Sequence, residues 1–184
     1  QAPLDGLHNI CTREKLGLSD IEKVRVSPII DITSAESPLP MGLIQAEYSL
    51  PHCFACYLSG KKPSEDWYSL QSRSSEELYE LSKIVEYFGP QANRLHMFEV
   101  FWQGTFPETT VEVVCKDGRV FRETLRCPKG HPRNNFTMQE EQQFFIERTA
   151  SFIGRENAEK FAQGIAGLET CEDLNALTAL LAAE

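Results

Sequence analysis

The stretch Ala46-Glu-Tyr-Ser-Leu-Pro-His-Cys-Phe-Ala-Cys-Tyr-Leu-Ser-Gly60 joins more core material to polar groups than any other part of the chain. Ala46, Leu50, Cys53, Phe54, Tyr57 and Leu58 fall on one helical face. Ser49, His52 and Cys56 fall on another. Pro51 lacks an N–H and is best tolerated in a first turn. Ser49 is therefore the expected N-cap and Gly60 the stop. Such a helix buries its apolar side in a core and turns a small polar side towards a site.

Working outward, residues 3–12 carry Leu4, Leu7, Ile10 and Cys11 at helical spacing, and 23–32 read as a strand with an edge or bend at Pro28. Ser19-Asp-Ile-Glu22 is a capping box or the lead into that strand. Residues 33–42 read as a loop. After Gly60 comes a polar loop pinned by Trp67 and Tyr68. Ser74-Ser-Glu-Glu77 opens a helix whose stripe is Leu78, Leu81, Val85 and Phe88, and Gly89-Pro90 ends it. Residues 95–102 are aromatic-rich and expected to form a strand.

The hairpin is the clearest β signal. Val111, Val113 and Cys115 alternate, Lys116-Asp-Gly118 turns, and residues 119–127 return. A two-residue loop would put Phe121 and Leu125 out of phase with Val111 and Val113. A three-residue loop with Gly118 at positive φ sets Val113 opposite Phe121, and is preferred for that reason. Thr137-Met-Gln-Glu140 caps a helix with Phe145, Thr149 and Phe152 on one side. Ala158, Phe161, Ala162 and Ile165 make another. Thr170-Cys-Glu-Asp173 caps a last one, with Leu174, Leu177 and Leu181 inward. The order specifies an α+β fold: a mainly antiparallel small sheet with a β-hairpin, packed by several helices, as a single domain over 1–184.

The chain has 184 residues and a net charge of −9, from 18 basic and 27 acidic side chains. Nucleic-acid binding rests on Lys and Arg neutralising phosphates, so no nucleic-acid partner is expected. The cluster Arg126, Lys129, His131 and Arg133 reads as a solvated or small-anion-binding turn. No apolar run approaches the roughly 20 residues of a membrane span, and no membrane partner is expected. The six cysteines, Cys11, Cys53, Cys56, Cys115, Cys127 and Cys171, are expected reduced and mostly buried, in a cytoplasmic protein, or a mitochondrial one if eukaryotic.

His52 is the titratable residue of most interest: a first-turn imidazole can act as acid, base or donor, or simply cap local backbone. Cys53-Phe-Ala-Cys56 lacks the second pair a zinc site needs and the strand context of a redox motif, so core cysteines are the plainer reading. Glu76, Glu77, Glu140 and Glu141 sit in first helical turns, where the macrodipole favours them. No metal ligands and no cofactor motif are evident.

Several segments in register resemble the second domain of the MmgE/PrpD family. The quoted stretch from Ala46 to Gly60, with its Tyr48-Ser49, Ala55, Leu58 and Gly60, resembles a family signature. So do the Asp117-Gly118 hairpin, the passage from Pro128-Lys-Gly-His-Pro132 to Phe145, the opening Gln1 to Asp5, and the closing Leu168-Glu169 to Leu181. The resemblance implies a small α+β lid domain partnering a helical domain that bears most catalytic groups. The family's enzymes act on small di- and tricarboxylates, generally without a metal: 2-methylcitrate dehydratase, cis-aconitate decarboxylase and iminodisuccinate epimerase. On this basis the chain is expected to be the C-terminal part only, with the helical domain outside it, and to be inactive alone. His52 is the catalytic residue implied, with Ser49 and His52 binding substrate. Where the family commonly offers tyrosine this chain has His52, and where it has a histidine near the domain start this chain has Gln1. Phe136 replaces a usual proline and Phe144 or its neighbour a usual lysine. Expected partners are the helical domain, a polycarboxylate substrate and, as a homodimer, a second copy. The rival reading is a freestanding, non-enzymatic α+β module for interaction or assembly. A weaker third is a redox protein using Cys53 and Cys56, which needs a low-pKa thiol.

Overall fold

The computed structural model describes residues 1–30, 40, 42–92, 102 and 108–182. They fall into two compact units, Gln1–Arg133 and Asn134–Glu184.

In the first unit, α1 (Ala2–Glu14) leads through a short 3-10 turn into β1 (Ile21–Ser27), so Ser19–Glu22 is the entry to a strand. The chain then forms β2 (Ile29–Ile30), α2 (Leu43–Tyr48), α3 (Leu50–Leu58), α4 (Leu70–Arg73) and α5 (Glu76–Ser82). β3 (Val85–Tyr87), β4 (Gln91–Ala92), β5 (Thr109–Cys115) and β6 (Val120–Leu125) follow. The main sheet runs β3-β1-β5-β6, with β1–β3 parallel and the other pairs antiparallel, while β2 and β4 form a separate parallel pair. The fold is α+β with a mostly antiparallel sheet.

The hairpin has the phase its alternation requires. Val113 pairs with Phe121 and Val111 with Glu123. Gly118 sits at φ 86°, and its N–H donates to the Cys115 carbonyl at 2.9 Å. Val111, Val113 and Cys115 join Val24, Val26, Leu7, Ile10 and Phe54 in one core. On the sheet's other face Glu112 is buried between two guanidiniums: Arg25 Nη1 donates at 2.7 Å and Arg122 Nε at 2.9 Å. Arginines from both neighbouring strands thus replace the water that this carboxylate loses.

Two expectations for this unit change. The stripe Leu78, Leu81, Val85, Phe88 is not one helix: α5 ends at Ser82 and Val85–Tyr87 is a strand. Pairing with β1 gives β-branched Val85 a ladder partner in Val24, and the Phe88 N–H donates to the Val26 carbonyl at 2.9 Å. Tertiary pairing overrides a local 3.6-residue pattern there. The strand expected over 23–32 breaks at Pro28, and Ile29–Ile30 pair in the other sheet; the bend is realised and β1 is an interior strand, while 31–32 lie outside the described residues. Nearly all of the strand expected over 95–102 and of the loop 33–42 lies outside the described residues.

The second unit holds α6 (Met138–Ile153), α7 (Arg155–Ala166) and α8 (Leu174–Ala179). Thr137 and Glu140 form the expected reciprocal box: Glu140 N–H donates to Thr137 Oγ1 at 3.2 Å, and Thr137 N–H to Glu140 Oε2 at 2.7 Å. Phe145 and Phe161 stack at 5.2 Å between α6 and α7. Leu177 of α8 packs where a Cβ on Gly164 would stand. The cap of α8 is Asp173, whose Oδ1 accepts from the Asn175 and Ala176 N–H groups; Thr170 closes a 3-10 turn instead.

Gly6 lets α1 lie against the sheet, since a Cβ there would stand 2.9 Å from Val111 Cγ2. Alanine gains about 1 kcal/mol of helix propensity over glycine, but overpacking a filled core costs about 1–3 kcal/mol. Gly6→Ala is therefore expected to lower the urea midpoint at unchanged slope, and a raised midpoint would show that α1 can lift off the sheet freely.

Candidate functional site

The site is built around the corner between α2 and α3. Ser49 (φ −78°, ψ 103°) ends one helix and begins the next, and its Oγ accepts the His52 N–H at 3.2 Å. Pro51 sits in the first turn of α3, and Gly60, at φ 79°, lies just past its end.

The polar side of α3 does not open outward. Ser49 is 0 % and His52 2 % exposed, and Cys56 is also buried. The covering element is the 3-10 turn Glu65–Tyr68, whose Trp67 packs in a second core with Cys53, Ala55, Cys56 and Leu78. His52 Nε2 lies 2.6 Å from the Trp67 carbonyl oxygen. A carbonyl only accepts, so Nε2 carries the proton in this contact. Cys56 Sγ is 3.7 Å from the same nitrogen, and the Cys53 thiol donates to the Ala46 carbonyl at 3.5 Å.

Burial holds the His52 pKa below its ordinary 6.5; the Trp67 carbonyl opposes that, and Arg73 and Lys61 add to it. The ring is a neutral donor. Burial also pushes Cys53 up to about 11 and Cys56 up to about 12. The low-pKa thiol that a redox role demands is therefore not found at either position. All six cysteines are free thiols, four of them buried.

Beside the start of α3 lies a cleft of about 460 Å³, mostly apolar. Leu50 and Cys53 of α3 line it, with Glu47 and Tyr48 of α2, Leu4 of α1, Val26 and Ser27 of β1, and Gln1, Tyr68, Tyr87 and Thr109. Ser49 and His52 are not among its lining residues. The structure thus brings Ser49 and His52 together but sets them behind the cleft wall. His52 touches the cleft indirectly: its chain neighbour Cys53 is in the wall, and its ring holds the Trp67 carbonyl, next to which Tyr68 is also part of the wall. The Gln1 side chain donates to the Lys129 carbonyl at 3.1 Å, and Asp5 accepts the Lys129 N–H at 2.7 Å, so the turn after β6 is tied to the start of α1.

Sequence reasoning missed the cleft tyrosines. Tyr48 was visible as an aromatic immediately before the capping serine, and it is 60 % exposed. Tyr68 stood out only as an anchor of the polar loop and Tyr87 not at all, because each reaches the cleft from a different element. Among the described residues no three His, Cys, Asp or Glu side chains gather as a metal set, and no helix is long and apolar enough to cross a membrane.

An α+β domain with a capped helical corner beside an aromatic cleft is the class these features define. The family model described as the MmgE/PrpD C-terminal domain matches residues 1–170, and the chain belongs to that family. A comparison with curated proteins gave no significant match.

A depressed histidine pKa has a signed consequence. Between the folded value and about 6.5 the unfolded chain binds the proton and the folded chain does not. The stability due to neutral His52 is full above that window and falls as pH drops through it. The loss of unfolding free energy between about pH 7.5 and about pH 5.5 should be larger for the parent than for His52→Gln. Equal losses would mean that His52 is not held neutral by burial.

Proposed function

We propose that this chain works as the C-terminal lid domain of an MmgE/PrpD-like lyase or isomerase acting on small di- or tricarboxylates, of the dehydratase or decarboxylase type. Membership of the family supports the reading. The observation that carries it is the cleft beside the α2–α3 corner, whose mostly apolar wall offers the Tyr48 hydroxyl, the Ser27 and Thr109 hydroxyls and the Gln1 amide, with Glu47 its one carboxylate. The hydroxyls and the amide donate to carboxylate oxygens without taking a proton at neutral pH. Proton removal then falls to the helical domain, and this domain covers the substrate and excludes water.

The α2 face beside the cleft is apolar and exposed, with Leu43, Ile44 and Tyr48 all more than half accessible. The proposed occupant of that face is the family's helical domain, because the face runs directly into the cleft wall. Ser49 and His52 serve the site from behind: Ser49 sets the corner that presents Tyr48, and His52 holds the Trp67 carbonyl and so fixes Tyr68. His52 is in this reading a positioning residue for substrate binding.

The test is reconstitution. The chain alone, given cis-aconitate or 2-methylcitrate, should show no turnover. Joined to the helical domain of a family member, it should restore dehydration or decarboxylation, read from the ultraviolet absorbance of the conjugated alkene. Turnover by the chain alone would overturn the division of labour. A folded, joined protein with no turnover on any polycarboxylate would favour the non-catalytic assembly module.

A further inference from the structure

Beyond the C-terminal end of α3, residues 61–72 form a second cavity of about 400 Å³, open to solvent and lined by polar side chains. Lys61, Lys62, Ser64, Asp66, Gln71 and Ser72 line it, with Ser69. It shares no lining residue with the apolar cleft. The cavity is built rather than incidental. Ser72 is only 3 % exposed, and its Oγ accepts from Lys61 Nζ at 3.2 Å. That bond anchors one ammonium at the cavity wall and leaves the Ser72 hydroxyl proton without an acceptor among the described residues. The Ser69 hydroxyl fixes the floor, donating to the Asp66 carbonyl at 2.9 Å and accepting the Ser72 N–H at 3.2 Å. Lys62 and Gln71 make no hydrogen bond or ion pair among the described residues, so a second ammonium and a side-chain amide also stand open to a ligand.

The positive field of this loop reaches inward although the chain carries −9. Lys61 acts on both His52 and Cys56, favouring loss of a proton from each. Two ammoniums, a hydroxyl donor and an amide suit an oxyanion. Asp66, the one carboxylate in the wall, only accepts. It repels an anion with no proton to give, and accepts a hydrogen bond from one that has a hydroxyl.

We propose that the 61–72 loop is a binding site for hydrogenphosphate, held by Lys61, Lys62 and Ser72, with its hydroxyl directed to Asp66. The site is separate from the substrate cleft, but both depend on the same loop, which carries Trp67 against His52 and Tyr68 into the cleft wall.

Calorimetric titration of the full chain with inorganic phosphate, at constant ionic strength in chloride, tests this. Saturable single-site binding is expected. Loss of charge-assisted hydrogen bonds in the Lys61→Ala/Lys62→Ala double variant should weaken it about tenfold or more. Ser72→Ala should also weaken it, and Lys15→Ala/Lys116→Ala, which removes the same two positive charges elsewhere on the first unit, should leave it intact. Circular dichroism confirms that each variant is folded. Sulfate, which has no proton to offer Asp66, should bind more weakly than phosphate. Absence of saturable binding, binding that survives the double lysine variant, or sulfate matching phosphate would each overturn the assignment.

Discussion

The first unit depends on one helix being buried on nearly all sides. Pro51, His52, Cys53, Phe54, Ala55 and Cys56 are consecutive and all buried. Phe54 enters the core shared with the sheet and α1, while Cys53, Ala55 and Cys56 enter the core shared with Trp67 and Leu78. An amphipathic surface helix sends its polar groups to water. A helix covered on both sides cannot, so each polar group on it needs a partner inside the protein. The His52–Trp67 contact meets that need for the bulkiest of them. An unmet donor of this kind costs about 1–3 kcal/mol, so the turn that supplies the carbonyl is a structural necessity of α3.

From this constraint follows the construction of the segment after it. The Glu65–Tyr68 turn is held by the histidine on one side and, on the other, by the Ser69 hydroxyl, which donates to the Asp66 carbonyl at 2.9 Å. Ser69 caps α4, Ser75 caps α5, and the Arg73 guanidinium donates to the Tyr68 carbonyl at 2.9 Å. The same turn carries three consecutive residues with three destinations. Asp66 faces the polar cavity, Trp67 the core and Tyr68 the apolar cleft. Among the described residues the buried Trp67 indole N–H has no hydrogen-bond partner; the area its ring buries offsets that cost. Substitutions in this loop should therefore be felt in the cleft without touching it.

Local chemistry made much of the fold legible. The capping serine, the proline in the first turn, the glycine beyond the end and the Thr137–Glu140 box are all short-range, and each formed where expected. The hairpin was legible because only one loop length puts Val113 opposite Phe121. The end of α5 was not legible, since residues 78–88 satisfy a helical period and the deciding partner, β1, lies some sixty positions earlier. The site divides in the same way. Ser49 and His52 stood out because they share a short motif, yet the orientation of His52 is set by a main-chain carbonyl, which leaves no mark in residue identity. The cleft wall draws one or two residues each from α1, β1, α2, α3, the 65–68 turn, β3 and β5, and no sequence pattern gathers those.

Nitrogen-detected NMR of the His52 ring tests most directly whether α3 is a helix satisfied from within. The account predicts a neutral imidazole at pH 7 with its proton on Nε2, slow to exchange because the Trp67 carbonyl holds it. A charged ring at that pH, or a neutral ring protonated on Nδ1 and exchanging freely with solvent, would contradict it.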